Sequence, residues 1–418
     1  MAADRTPPPR STRLLLILGS LAGLSVYLLT PLEQPDQLTL ATDVYFHAVS
    51  SFFDGNDLYL NHPPDRSGYN YLYPPITVLL FLPHILTGSA LGAYILQTIL
   101  NIIAGIATTV VIVRALKRRS IAVTRIDAVL IALLLLVSSY GAIQLINGQV
   151  NLWIAFALAL GFDAFDRDRE RITGIAFAIA ALLKVFPAIL GLWLLRTRSW
   201  IGVGAALATG IGGLLLGAVV FGPELTITYF ADVLLARFGD STYDGRPAPT
   251  DNVDGIHRQL AALWPAGEAF YTGFSILIIG SLLTISYSSV TTRYERDIAA
   301  LATICGILLF LPLQPLYFPL ITFPLCMLLF RPHTGRIKWL FVSATLLTFV
   351  HIDLQAVELW LATIPTPELV ADVLIQVSTA LFTLILPPTI GLWMLLLICV
   401  WIQLPSLDDV RQSISRLR

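Results

Sequence analysis

Residues 200–221 read WIGVGAALATGIGGLLLGAVVF, a run of 22 positions without a single charge. A helix rising 1.5 Å per residue would make this stretch about 33 Å long, enough to cross a hydrocarbon core of about 30 Å. Arg196 and Arg198 stand immediately before it and Glu224 closely after it, so the run is bounded as a membrane span is. Similar apolar runs recur at 14–32, 89–113, 127–142, 148–165, 268–290, 297–312, 315–330, 337–353 and 374–403, with a broken one at 172–196. The chain therefore reads as an all-α polytopic membrane protein of about 11–13 transmembrane helices, a single integral membrane domain over residues 1–418.

Composition agrees. Hydrophobic residues make up 56% of the 418 positions and charged residues 13%, with a mean hydropathy of +0.77, against about 25% charged in a soluble domain. A net charge of −1 leaves no basic field for nucleic acid. Cys305, Cys326 and Cys399 lie far apart in apolar runs and read as core residues. The six histidines, His47, His62, His84, His257, His333 and His351, show no paired ligand spacing, so neither a metal nor another cofactor is expected.

Orientation follows from charge. Alternating the runs across a membrane puts 21 of the 26 Lys and Arg on one side, which the positive-inside rule makes cytoplasmic. Arg66, Arg237, Arg246 and Arg258 face outward and Lys184 lies within the membrane. The run at 14–32 follows Arg5, Arg10 and Arg13 and reads as a retained first helix, with both termini cytoplasmic. Three outer loops are long: 33–88, 223–267 and 354–373. The first two are rich in aromatics and aspartate, so chemistry is expected on the outer face. The run of charges from Asp163 to Arg171 reads as a solvated cytoplasmic connector.

Residues 172–196 begin and end beside cytoplasmic arginines, yet a helix of that length could not cross twice. The chain is expected to enter, break near Lys184-Val185-Phe186-Pro187 and return, because Pro187 cannot continue a helix. Non-helical backbone at membrane depth is tolerated where protein buries it or a wet cavity meets it. Lys184 is too far from either end of the segment to snorkel, and an ionisable group at that depth is functional by default. Its simplest use is as the cation for a lipid phosphate, with Arg258 and Arg66 as other cations on the same face.

Asp43, about ten residues beyond the first run, is either an ordinary helix-capping carboxylate or a base held at the lipid–water boundary. Asp54 to Asp57 reads as a turn. The cluster Tyr69-Asn70-Tyr71-Leu72-Tyr73 is either an interfacial aromatic belt or a set of faces and hydroxyls for a sugar. Asn147-Gly148-Gln149-Val150-Asn151 is either a capped tight turn or three amides suited to hydroxyl recognition.

Taken together, Asp43-Val44-Tyr45, Gly55-Asn56-Asp57-Leu58-Tyr59 and Tyr73-Pro74-Pro75 resemble the opening signature of glycosyltransferase family 87. Gly148-Gln149-Val150-Asn151 is similar to that family's second motif and Leu183-Lys184-Val185-Phe186-Pro187 to its third. The resemblance implies a GT-C-like bundle whose long outer loops carry short interfacial helices. It also implies a polyprenyl- or dolichyl-phosphate mannose donor and an extracytoplasmic glycan, glycoprotein or glycolipid acceptor. Asp43 stands where the family's catalytic aspartate stands. Tyr45, Asp57, Tyr59, Tyr73, Gln149, Asn151 and Tyr317 take sugar- or acceptor-binding positions, and Lys184 and Arg258 the donor phosphate. The late stretch Leu313-Gln314-Pro315-Leu316-Tyr317-Phe318-Pro319 lacks the histidine that members often carry near the acceptor. A transporter or flippase of lipid-linked sugars is the rival reading, since it too needs many spans and an intramembrane cation.

Overall fold

A computed structural model describes residues 7–236, 243, 245–251, 253–311, 315–332 and 335–415. Arg237, Leu313, Gln314 and His333 lie outside the described residues. Helices account for the architecture and no strand forms among the described residues. The chain divides into two compact units, the first made of residues 1–239 with 318–330 and the second of 240–317 with 331–418.

The first unit opens with α1 (Arg10–Glu33), a short 3-10 turn and α2 (Leu40–Phe53). Then come α3 (Val78–Ile85), α4 (Ala90–Arg118), α5 (Arg125–Leu136), α6 (Ser139–Asn147) and α7 (Asn151–Phe165). It continues with α8 (Glu170–Leu183), α9 (Leu190–Arg196), α10 (Trp200–Phe221) and α11 (Pro223–Thr228), the last running into a π-helical turn at Tyr229–Leu235. The second unit holds α12 (Ile256–Leu263), α13 (Glu268–Ser286) and α14 (Arg293–Phe310). The chain returns to the first unit for α15 (Thr322–Leu329), then supplies α16 (Gly335–Thr348), α17 (Leu354–Thr363), α18 (Glu368–Leu384) and α19 (Pro387–Ser415) to the second.

Helices α1, α4, α10, α13 and the Pro387–Leu404 part of α19 are long and apolar enough to cross a membrane. The pair α5 and α6, bent by 49°, adds a sixth. Other expected spans are present as shorter helices. Helices α7, α8 and α16 have 15, 14 and 14 residues, about 21–22 Å each. Two expected boundaries are corrected. The run at 127–142 is two helices, because Ser138 ends one and caps the next by accepting from the Tyr140 N–H at 3.2 Å. The run at 374–403 is also two, since Pro387 and Pro388 have no N–H with which to continue α18.

One end of the first unit is tied by ion pairs. Arg13 Nε meets Asp127 at 2.6 Å, Arg119 meets Asp166 at 2.5 Å, Arg167 meets Asp163 at 2.8 Å, and Arg118 also pairs with Asp163. Asp163 is buried. The expectation of a fully solvated connector is thus corrected: these carboxylates clamp the ends of α4 and α7, where a desolvated acid needs a fixed cation.

At the far end from these pairs, α8 stops at Leu183 and Lys184 takes an extended conformation, φ −149° and ψ 131°. A 3-10 turn at Phe186–Ile189 and the seven-residue α9 follow. Ser199 then donates to Glu170 at 2.7 Å, so the chain has come back to the start of α8. From there α10 runs beside α8 in the same direction, Gly202 against Gly174 and Gly213 against Leu182. A β-carbon on Gly174 would lie 2.0 Å from the Gly202 carbonyl oxygen, so only hydrogen allows the two helices this approach.

Candidate active site

Helix α2 begins at the turn that joins α6 to α7. The Thr39 N–H donates to the Ile146 carbonyl at 2.9 Å and the Thr42 hydroxyl to the Gly148 carbonyl at 3.3 Å. Gly148 has φ +68°, and a β-carbon there would fall 1.8 Å from Thr42 Oγ1, so both conformation and space demand glycine. Asp43 follows Thr42 directly. Its Oδ2 accepts from the Thr39 hydroxyl at 2.7 Å and pairs with Arg66 Nε at 3.1 Å. Among the described residues its Oδ1 has no hydrogen-bond partner. Arg66 also donates to the carbonyls of Asp36 and, at 2.7 Å, Leu38, holding the 35–39 segment over the start of α2.

Two residues on, the Tyr45 hydroxyl meets Tyr73 Oη at 2.7 Å and donates to Gln149 Oε1 at 3.2 Å. Tyr59 donates to the Tyr73 carbonyl at 3.1 Å. These rings pack on one another: Tyr45 stacks on Phe81 at 4.3 Å, and Tyr71 and Tyr73 lie 5.4 Å apart. Tyr45, Tyr59 and Tyr73 are only 2%, 3% and 7% exposed. Tyr45, Tyr59 and Tyr73, expected to bind sugar, thus take part in a buried aromatic cluster with Tyr71, Phe81 and Tyr229.

The remaining expected positions separate in the same way. Asp57 is exposed, and its Oδ1 accepts from the Tyr59 and Leu60 N–H groups at 2.7 and 2.9 Å, forming the turn. Asn151 is buried and donates to Gln144 Oε1 at 2.9 Å. Gln149 is half-buried and keeps surface to present.

Lys184 is half-buried at the α8 break. Its level in the first unit is fixed by neighbours: Leu182 packs on Gly213, and Gly217, about 6 Å further along α10, packs on Ile76. Ile76 comes three residues after Tyr73. Helices α7 and α8 run antiparallel, with Gly161 against Phe177, so Lys184 also lies at the Asn151 end of α7. Asp43, Gln149, Tyr73 and Lys184 thus lie toward the same end of this unit. Phe221, the last residue of α10, reaches Phe52 in α2 at 5.8 Å, so α10 extends eight residues, about 12 Å, beyond the level of Leu182.

Arg258 and Tyr317 belong to the second unit. Tyr317 is half-buried in a 3-10 turn. Arg258 is fully buried, and all five of its N–H groups are committed to backbone oxygens. Nε donates to Phe382 at 3.1 Å, Nη1 to Asp251 and Val253 at 2.8 Å, and Nη2 to Ala248 at 2.8 Å and to Phe382. With every donor on a backbone oxygen, the Arg258 guanidinium, expected at the donor phosphate, holds its own loop.

Sequence reading missed Gln97 and Asn101, both fully buried in α4 and both directed at the Gln149 carbonyl. Their signal was available: two amides four residues apart in an otherwise apolar span lie on one helix face.

The family model of glycosyltransferase family 87 matches residues 71–315. The chain belongs to glycosyltransferase family 87. It is a membrane glycosyltransferase with an all-helical polytopic fold. No curated protein matches the chain. Within this family 87 chain the match contains Tyr73, Gln149, Asn151, Lys184 and Arg258, while Asp43, Tyr45, Asp57 and Tyr59 precede it and Tyr317 follows it.

Proposed function

We propose that this glycosyltransferase moves a hexose, mannose by family resemblance, from a polyprenyl- or dolichyl-phosphate sugar to an extracytoplasmic glycan. The observation that supports this reading is that Asp43, the Gly148–Gln149 turn and Lys184 lie toward the same end of the first unit. Charge alternation, with most Lys and Arg on the opposite side, supports an outward-facing site at the cell membrane.

In the proposed reaction the donor phosphate rests beside Lys184, beneath the outer end of α10. Asp43 Oδ1 takes the proton from an acceptor hydroxyl as that oxygen bonds to the anomeric carbon. The bond from the anomeric carbon to the phosphate oxygen breaks with its electron pair, and the lipid phosphate leaves as an anion that Lys184 neutralises. Thr39 and Arg66 hold Oδ2, which keeps the carboxylate from turning away. General-base help of this kind contributes about 10²–10⁴ in rate. Single displacement inverts the centre, so a β-linked donor gives an α-linked product. Gln149, half-buried and anchored through Tyr45, offers its amide to a sugar hydroxyl.

The experiment is transfer by purified protein from radiolabelled polyprenyl-phosphate mannose, paired with mass analysis of extracellular glycans and glycolipids from a deletion strain. The account expects labelled product in the first and loss of one terminal hexose in the second. Movement of the intact lipid-linked sugar across vesicles, without transfer, would overturn it in favour of a flippase.

A further inference from the structure

Gln97 and Asn101 sit one turn apart on α4, each fully buried, in a helix otherwise built to meet lipid and apolar neighbours. An amide in such a place is costly unless every group is used, so its partners reveal what it is for. Asn101 Nδ2 donates to the Gln149 carbonyl at 2.9 Å. Gln97 Nε2 reaches the same oxygen at 3.5 Å and Asn101 Oδ1 at 3.3 Å. Gln97 Oε1 in turn meets His84 Nε2 at 2.9 Å, and His84 is also fully buried. A polar relay therefore runs from α3 through α4 and ends on a single backbone oxygen.

That oxygen belongs to the turn on which α2 is mounted. The carbonyls of Ile146 and Gly148 are taken by Thr39 and Thr42 of the α2 start, and the carbonyl of Gln149 by the α4 amides. The side chain of Gln149 receives the Tyr45 hydroxyl at 3.2 Å, a second link to α2. The turn is thus gripped from two helices, and α2 takes its register from it. Asp43 lies one residue beyond Thr42, so a shift of the turn is a shift of the carboxylate.

We infer that Gln97 and Asn101 are positioning residues for sugar transfer: they fix the Gln149 carbonyl, and through the 146–149 turn they set where Asp43 stands. This rests on the reading of Asp43 as the base. Neither amide touches substrate. Their effect belongs to the chemical step, because misplacement of a reacting group by about 1 Å costs about 10²-fold in rate.

The test compares Asn101→Leu, Gln97→Met and Asp43→Asn in purified protein, measuring kcat and the donor KM with labelled donor, and donor binding separately. Asn101→Leu is expected to lower kcat at least about tenfold with donor KM and binding within about twofold. Gln97→Met, which keeps side-chain length, is expected to lower kcat less and in the same direction; it carries the test if Asn101→Leu fails to fold. Added to Asn101→Leu, it should lower kcat little further, since both amides act on one oxygen. Wild-type kcat in the folded variants, or a rise in KM alone, would overturn the positioning role. If Asp43→Asn is inactive while Asn101→Leu turns over normally, only this inference fails; if Asp43→Asn is itself fully active, the reading of the base fails first.

Discussion

Arg66 Nε lies 3.1 Å from Asp43 Oδ2, and the same guanidinium holds the carbonyls of Asp36 and Leu38. Both side chains are 16% exposed, so the pair is neither fully buried nor a free surface bridge. Its consequence is directional. One carboxylate oxygen is fixed by Arg66 and Thr39, and the other remains available to an incoming hydroxyl. For the proposed role of Asp43 as the base, such an arrangement matters because orientation contributes as much as basicity.

Gly148→Ala should be among the most damaging single-methyl changes in the chain. The residue has φ +68° and its β-carbon would fall 1.8 Å from Thr42 Oγ1. Left-handed backbone costs about 1–2 kcal/mol and overpacking about 1–3 kcal/mol. A loss of about 2–4 kcal/mol in a denaturation assay is expected, with activity falling further than stability explains. Adding Thr42→Ala should recover part of the loss by removing the clash, leaving the backbone cost.

Lys184→Met should weaken donor binding about tenfold or more, while Lys184→Arg keeps most of it, if the ammonium meets the lipid phosphate. Equilibrium binding of polyprenyl-phosphate mannose reads this directly. Unchanged affinity in Lys184→Met would remove the phosphate role.

Arg258→Met should behave in the opposite way. Four backbone carbonyls, those of Ala248, Asp251, Val253 and Phe382, would lose the Arg258 donor, Ala248 keeping only the Asp251 N–H and Val253 the Tyr243 hydroxyl. A stability loss of about 4 kcal/mol or more is expected. Whatever folded protein survives should bind donor with unaltered affinity, and a selective loss of donor affinity at normal stability would restore the phosphate role.

The neighbouring Asp254 makes stability depend on pH. Burial pushes its carboxyl above the usual range, against the opposing pull of Thr389, the Gly255 N–H, the Arg258 charge and the Leu386 N–H. An acid with a raised pKa binds its proton more tightly folded than unfolded. Its contribution is fully present below the unfolded value of about 4 and is lost as pH rises through the folded value. Thermal melts should therefore show a component that declines from about pH 4 upward, and Asp254→Asn should flatten it. A component that rises with pH and survives Asp254→Asn would contradict this.

The class of fold was legible because lipid leaves so strong a mark: runs such as 200–221 admit no other solvent. The internal breaks were harder. Ser138 sits inside an apolar run, and nothing in hydropathy distinguishes a serine that caps a new helix from one that hydrogen-bonds within the old. Pro387-Pro388 did carry a signal, which the unbroken apolar character of 374–403 overrode. In the site, residue type showed which groups were chemically able and not which were already engaged. Arg258 and Lys184 are both cations in apolar surroundings, and only the three-dimensional path of the 248–258 segment shows that Arg258 spends its donors on backbone. The burial of Tyr45, Tyr59 and Tyr73 against neighbouring rings was likewise not legible from residue type. Gln97 and Asn101 were readable as a pair on one face, but their target, a carbonyl 48 residues from Asn101, was not.

The most direct measurement is single-turnover transfer of labelled sugar by purified Asp43→Asn, with donor binding followed in the same preparation. Donor affinity is expected within about twofold of wild type, with a transfer rate lower by about 10²-fold or more. Transfer at the wild-type rate, with binding intact, would contradict the reading of Asp43 as the base.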